Sequence, residues 1–182
     1  TIDFDFANGV LGGEFTSRLN MNLREDKHWS YGSFSGAGNA KGQRPWIAQA
    51  AVQSDKTVES LGELKREIAA FASGATPVTA AEVAKVRAAN TLSLPGAYET
   101  NSAVMLQVSS DQRYGRPADY ILQYKARNDA MTPALTQAAA KALDPDALTW
   151  VVVGDLSKIE QPIRDLKIGQ VQVIDNDGKP VR

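Results

Sequence analysis

The 182-residue sequence predicts an α+β domain in which helices pack on a mostly antiparallel sheet, and three observations predict it. Helix-like and strand-like patterns follow one another as helix, two strands, a run of helices, strand, helix, strand. The two early strand patterns are joined by a Gly- and Asn-containing turn, as in a hairpin. The composition, 43% hydrophobic and 23% charged, supplies enough apolar side chains for one core.

Taken in order, Phe4, Leu11, Phe15, Leu19 and Leu23 recur at helical spacing and predict a helix from Phe6 to Arg24. Gly12 and Gly13 inside it each cost about 1 kcal/mol relative to Ala, which calls for a kink or, the favoured reading, another backbone packed close by. After the polar link Glu25–His28, a strand runs from Trp29 to Gly36, with Trp29, Tyr31, Ser33 and Ser35 on one face. Its serines and glycines forgo packing energy, as strands beside a ligand or a second backbone do. Gly38–Gln43 is a turn, and Pro45–Ser54 a second, half-buried strand.

Val58, Leu61, Leu64, Ile68 and Phe71 place a helix over Lys56–Ser73, stopped by Gly74. Thr79-Ala80-Ala81-Glu82 is a capping box opening a helix that must end by Pro95. Helical patterns follow over Ala97–Tyr114, Ala118–Ala130 behind Pro117, and Thr132–Leu143. Leu148–Val153 is a β-branched run that predicts a strand buried on both faces. Ser157–Leu166, with Pro162 restricting its beginning, is a short helix, Gln170–Ile174 a closing strand and Asn176-Asp177-Gly178 a turn. Three or four strands are few for this much helix, since a sheet averages about five or six, and the expectation is that strands are missing upstream of Thr1.

The charge balance, 20 Lys+Arg against 21 Asp+Glu, creates no field for a nucleic-acid backbone or an anionic membrane. Nucleic acid is not expected as a partner, and no stretch approaches the ~18 apolar residues of a membrane span. The absence of Cys excludes disulfides, thiolate metal sites and a cysteine nucleophile. His28 is the single histidine, so neither His-Glu-x-x-His nor its inverse can be assembled, and a Ser-His-Asp triad would have to be built around it. His28 stands in a charged link and reads as a solvated imidazole, while Gly36-x-Gly38-x-x-x-Gly42 misses the dinucleotide spacing and reads as the hairpin turn. The acidic groups at Asp3, Asp5, Asp26, Asp175 and Asp177 lack the alternating calcium loop.

Arg24 at a helix end and Tyr31 on the following strand remain. Their heads can converge at the helix-to-strand corner, where a guanidinium fork and a phenolic O–H would suit a carbonyl oxygen or a developing oxyanion. On spacing alone the favoured reading is an Arg24 paired with Glu25 or Asp26 on the surface and a Tyr31 that is an ordinary strand aromatic, so spacing does not carry the case.

The segment Asn8–Asn20 (NGVLGGEFTSRLN), continued by Leu23-Arg24-Glu25 and Tyr31-Gly32, resembles the C-terminal-domain signature of pitrilysin-type zinc metallopeptidases, the inverzincins. The later Leu94-Pro95-Gly96, Tyr98 and Trp150–Asp155 are similar to these domains in a less specific way. The resemblance implies a processing-peptidase-like half: a single C-terminal substrate-binding domain over residues 1–182, part of a longer protein, with no catalytic residue and no metal ligand in this chain. It implies zinc held by a homologous domain or partner subunit, and a peptide substrate whose backbone is bound by Arg24 and Tyr31. The periplasm is the working expectation for compartment. The alternative is a non-catalytic structural or assembly subunit of the same fold.

Overall fold

In the computed structural model, which describes residues 1–181, the first helix is a broken rod. Helix α1 (Ile2–Asn8) widens into a π-helical turn at Gly9–Gly13. A loop follows, and the short α2 (Arg18–Asn20) passes into a second π-helical segment, Met21–Asp26. Ser17 makes the break: its hydroxyl accepts from the Glu14 N–H at 2.6 Å and donates to the Gly9 carbonyl at 2.8 Å, satisfying backbone groups that a continuous helix would pair. Phe6, Val10, Leu11, Leu19 and Leu23 still enter the core, but Phe15, carried by the loop, is 55% exposed.

Strands β1 (Ser30–Ala37) and β2 (Trp46–Val52) form the expected antiparallel hairpin. A Cβ on Gly12 would lie 2.3 Å from Ser35 Oγ and 2.8 Å from Ser35 N, so the second backbone anticipated from the glycine pair is β1 itself. Two buried asparagines tie the broken helix to this strand. Asn20 Oδ1 accepts from the Ser33 N–H at 3.0 Å, a proton that then cannot serve β2. Asn8 Nδ2 donates to the Ser35 carbonyl at 2.8 Å, while its Oδ1 accepts from Ser35 Oγ and Trp46 Nε1, both at 2.7 Å. The free edge of β1 is thus covered by side chains.

Helix α3 (Thr57–Ser73) buries Leu61, Leu64, Ile68 and Phe71 and stops at Gly74, whose φ of 78° is the left-handed conformation of a helix C-terminus. Helix α4 (Ala80–Leu92) opens with the Thr79–Glu82 capping box. Helix α5 (Asn101–Tyr114) buries no residue. Helices α6 (Tyr120–Ala130) and α7 (Pro133–Ala140) return to pack on α1 and α4. Helix α8 (Leu156–Asp165) closes a smaller cluster in which Ile159 and Ile163 meet Leu61. Pro162 sits inside α8 and not at its beginning.

The α+β class holds, with two corrections to the sheet. Among the described residues the only ladder is β1–β2. Leu148–Val153, expected as a strand buried on both faces, is extended but unpaired: Trp150 and Val152 lean on the cores while Val151 and Val153 are 77% and 94% exposed. Gln170–Ile174 forms no ladder, only one bridge from Ile174 to Pro180 around a turn with Gly178 at φ 77°. A β-branched run records a preference for extended backbone, and hydrogen-bonding neighbours decide whether it becomes a strand.

Candidate functional site

The corner between helix and strand is closed by His28. Its φ is 58°, unfavourable for a residue with a Cβ, and the surrounding hydrogen bonds hold it there. The Lys27 N–H donates to Asn22 O at 3.0 Å, the Trp29 N–H to Leu23 O at 2.9 Å, and His28 Nδ1 lies 3.0 Å from the Arg24 carbonyl oxygen. Gln53, just past β2, donates through Nε2 to His28 O and through its backbone N–H to Trp29 O. The imidazole is exposed, as the sequence suggested, and its visible work is closing the π-helical segment.

Tyr31 is turned outward by a bulge. Ser30 pairs with Val52 but Ser33 pairs with Ala50, so β1 carries one extra residue in between. Ser30 Oγ knits the irregularity: it lies 2.7 Å from both Gly32 O and Ala51 O, either of which can take its one proton, and accepts from the Gly32 N–H at 3.1 Å. Ser33 and Ser35 are buried, yet Tyr31, which alternation puts on their face, is 98% exposed.

Arg24 and Tyr31 line one open groove of about 600 Å³, together with Glu25, His28, Trp29 and Gln53. The Arg24 guanidinium stacks on the Phe15 ring, 4.4 Å from its centroid, and lies 3.6 Å from Glu25 Oε1. It makes no hydrogen bond among the described residues, and its Nη1 is buried without a partner. Tyr31 is exposed, and Arg24 is partly exposed and spends no donor on an internal hydrogen bond among the described residues, its Nη1 alone being shut off from solvent. A cationic fork and an exposed phenol that line one groove are both donors suited to carbonyl oxygens.

Sequence reasoning missed Phe15 and Asn20. Phe15 shares the helical spacing of Leu11, Leu19 and Leu23, yet it stands outside the core against the Arg24 guanidinium. Asn20, fully buried, donates from Nδ2 to the Phe15 carbonyl at 2.6 Å while holding Ser33. The available signal was a polar residue in the middle of an apolar helix stripe.

Metal chemistry has no donor set here. Among the described residues no group of three or more His, Cys, Asp or Glu converges. His28 is the single histidine and has no converging ligands among the described residues, so these residues do not fit a zinc ion. Among the described residues no helix is long and apolar enough to cross a membrane.

Residues 1–90 match the family described as the peptidase M16 inactive domain. Among solved structures, the fold is similar to a peptidase M16 inactive domain from Pseudomonas fluorescens, at 18% identity and a TM-score of 0.70 over 79% of this chain and 34% of that one. A protease from Helicobacter pylori aligns at 16% identity and a TM-score of 0.68, over 78% of this chain and 34% of its own. The inactive peptidase domain of a protein assigned as a zinc protease in Bordetella parapertussis aligns at 17% and 0.64, over 78% and 74%. The chain spans about a third of the length of the first two, and the likeness to all three is one of fold. A search of curated proteins gives no match.

Proposed function

Residues 1–90 belong to the peptidase M16 inactive-domain family, an inactive domain of zinc proteases, and from that premise we propose that this chain is the substrate-holding half of a two-half zinc endopeptidase. The observation that carries the reading is the pairing of Arg24 and Tyr31 in one groove, the first with unused donors and the second re-aimed by a bulge. An extended peptide offers carbonyl oxygens at a rise of about 3.3 Å per residue. Arg24 would take a backbone carbonyl on its N–H fork, and the Tyr31 O–H would donate to a second carbonyl or to the oxyanion that develops from it. Zinc and the attacking water belong to a homologous half, in the same polypeptide or in a partner subunit. This chain alone hydrolyses nothing.

The test is peptide cleavage by the protein together with its zinc-bearing half. Tyr31→Phe is expected to lower kcat by about 10² to 10³, the range for loss of one oxyanion donor, and Arg24→Ala to lower kcat/KM by about 10- to 100-fold through lost peptide binding, with zinc content unchanged in both. Cleavage within a few-fold of wild type in both variants would leave the scaffold role as the better account.

A further inference from the structure

We propose that Phe15 is a positioning residue of the peptide-binding groove, a platform that holds the Arg24 guanidinium over its ring so that Nε and Nη2 stay presented to a ligand. The inference rests on the reading of Arg24 as a peptide-holding residue and adds a residue whose role neither the sequence pattern nor the family match supplies. A large aromatic at a loop tip, 55% exposed, is where a packing role is least expected. The chain nevertheless fixes it twice.

The loop that carries Phe15 is set by Ser17, which bonds to Glu14 and Gly9, and the Phe15 carbonyl is gripped by the buried Asn20 amide at 2.6 Å. The same Asn20 takes the Ser33 N–H of β1, the strand that carries Tyr31. One buried side chain therefore locks the platform and the Tyr31 strand into a common frame. The Arg24 backbone is in turn held by its carbonyl, which lies 3.0 Å from His28 Nδ1. What remains free is the long Arg24 side chain, which has no internal hydrogen bond and one loose ion pair at 3.6 Å. The ring, its centroid 4.4 Å from the guanidinium carbon, is a contact that limits its wandering. A ring over the guanidinium face leaves the in-plane Nε and Nη2 donors unspent, while Nη1 is buried. A carboxylate partner would compete for those donors.

A double-mutant cycle on peptide cleavage by the two-half enzyme tests this, read alongside the Arg24 Nε–H NMR signal of the protein. Phe15→Leu is expected to lower kcat/KM about three- to tenfold, to move the Arg24 signal out of the ring-current field and to reduce its order. Phe15→Tyr and Phe15→Trp are expected to restore both, and Phe15→Leu in the Arg24→Ala background to cost nothing further. An unshifted Arg24 signal in Phe15→Leu, or a cleavage loss that adds in full to that of Arg24→Ala, overturns the platform role. If Arg24→Ala itself leaves cleavage unchanged while the Arg24 signal still responds to Phe15, the peptide-holding reading fails, and the platform survives only as a structural contact with no function in the groove.

Discussion

Arg18 and Arg24 lie six residues apart on the same broken helix, and the fold treats them in opposite ways. Arg18 is consumed. Its Nε and Nη2 donate to the two Glu82 carboxylate oxygens at 2.7 and 3.0 Å, its Nη1 and Nη2 reach the carbonyls of Thr76 and Pro77, and its guanidinium lies 5.4 Å from the Phe71 ring centroid. Arg24 has the ring contact without the hydrogen bonds. An arginine whose donors are all met inside the protein is a latch, and here it ties the first helix to the segment between α3 and α4. An arginine seated against a ring with its Nε and Nη2 donors unspent is available to a ligand through those two nitrogens. Residue type is the same in both regions; the difference is whether a carboxylate faces the fork.

The contrast predicts a division of phenotypes. Arg24→Ala should lower cleavage, as argued above, and leave the urea midpoint nearly unchanged. Arg18→Ala should cost about 2–3 kcal/mol of stability, because it strands a half-buried Glu82 carboxylate and two carbonyls. A stable Arg18→Ala protein, or an Arg24→Ala protein that unfolds, would erase the distinction. Gly12→Ala comes next, at about 2 kcal/mol: the new methyl would meet Ser35 N, which is backbone and cannot rotate away, and helix propensity returns only part of the loss. Chemical denaturation of the variant is the check, and a neutral result would mean that β1 can shift from the helix.

The sequence carried the α+β class, the hairpin and most helix stops, because each depends on local chemistry. Thr79 and Glu82 form a capping box wherever they stand at that spacing, and Gly74 ends a helix through its own φ. Arg24 and Tyr31 were legible as candidates through the run of motif residues around Gly12 and Gly13. Their geometry was not, since it comes from a break at Ser17 and a bulge at Gly32 that periodicity smooths over. The same limit misled the reading of Leu148–Val153. Its valines announce extended backbone, but which strands lie beside them is a property of distant parts of the chain. The fate of Arg18 was hidden for the same reason, its partner Glu82 being far along the sequence and already assigned to a cap.

Glu82 gives the contrast a pH dependence. Burial pushes its carboxyl upward, but the Arg18 hydrogen bonds, with those from the Thr79 backbone and hydroxyl, outweigh burial and hold its pKa below the usual carboxylate value. A pKa lower in the folded state contributes stability that is present above the unfolded value near about 4.3 and is lost as the pH falls through the folded one. The stability gap between wild type and Arg18→Ala should therefore be widest at neutral pH and narrow below about pH 4. Without Arg18 the burial effect is left opposed only by Thr79, so protonation then relieves the variant while it weakens the wild type. Urea midpoints at pH 7 and pH 3.5 read this directly, and a gap that does not change with pH would assign the latch to the Thr76 and Pro77 carbonyls instead of to the carboxylate.

The smallest effect is expected where Arg24 meets its own acid. Glu25 lies 3.6 Å from Arg24 Nε, beyond hydrogen-bond distance, and both side chains are exposed enough for solvent to screen the pair. Glu25→Gln should change stability by no more than about 0.5 kcal/mol. Its effect on peptide cleavage is the informative number. If Glu25 competes with the ligand carbonyl for the guanidinium, its removal leaves kcat/KM unchanged or slightly raised, with the change confined to KM. If Glu25 holds Arg24 in place, cleavage falls in Glu25→Gln as it does in Phe15→Leu, and the ring is no longer the sole support. The stacking distance and the missing hydrogen bond favour the first result, which would make Arg24 a donor kept open by an aromatic face and Arg18 a donor closed by a carboxylate.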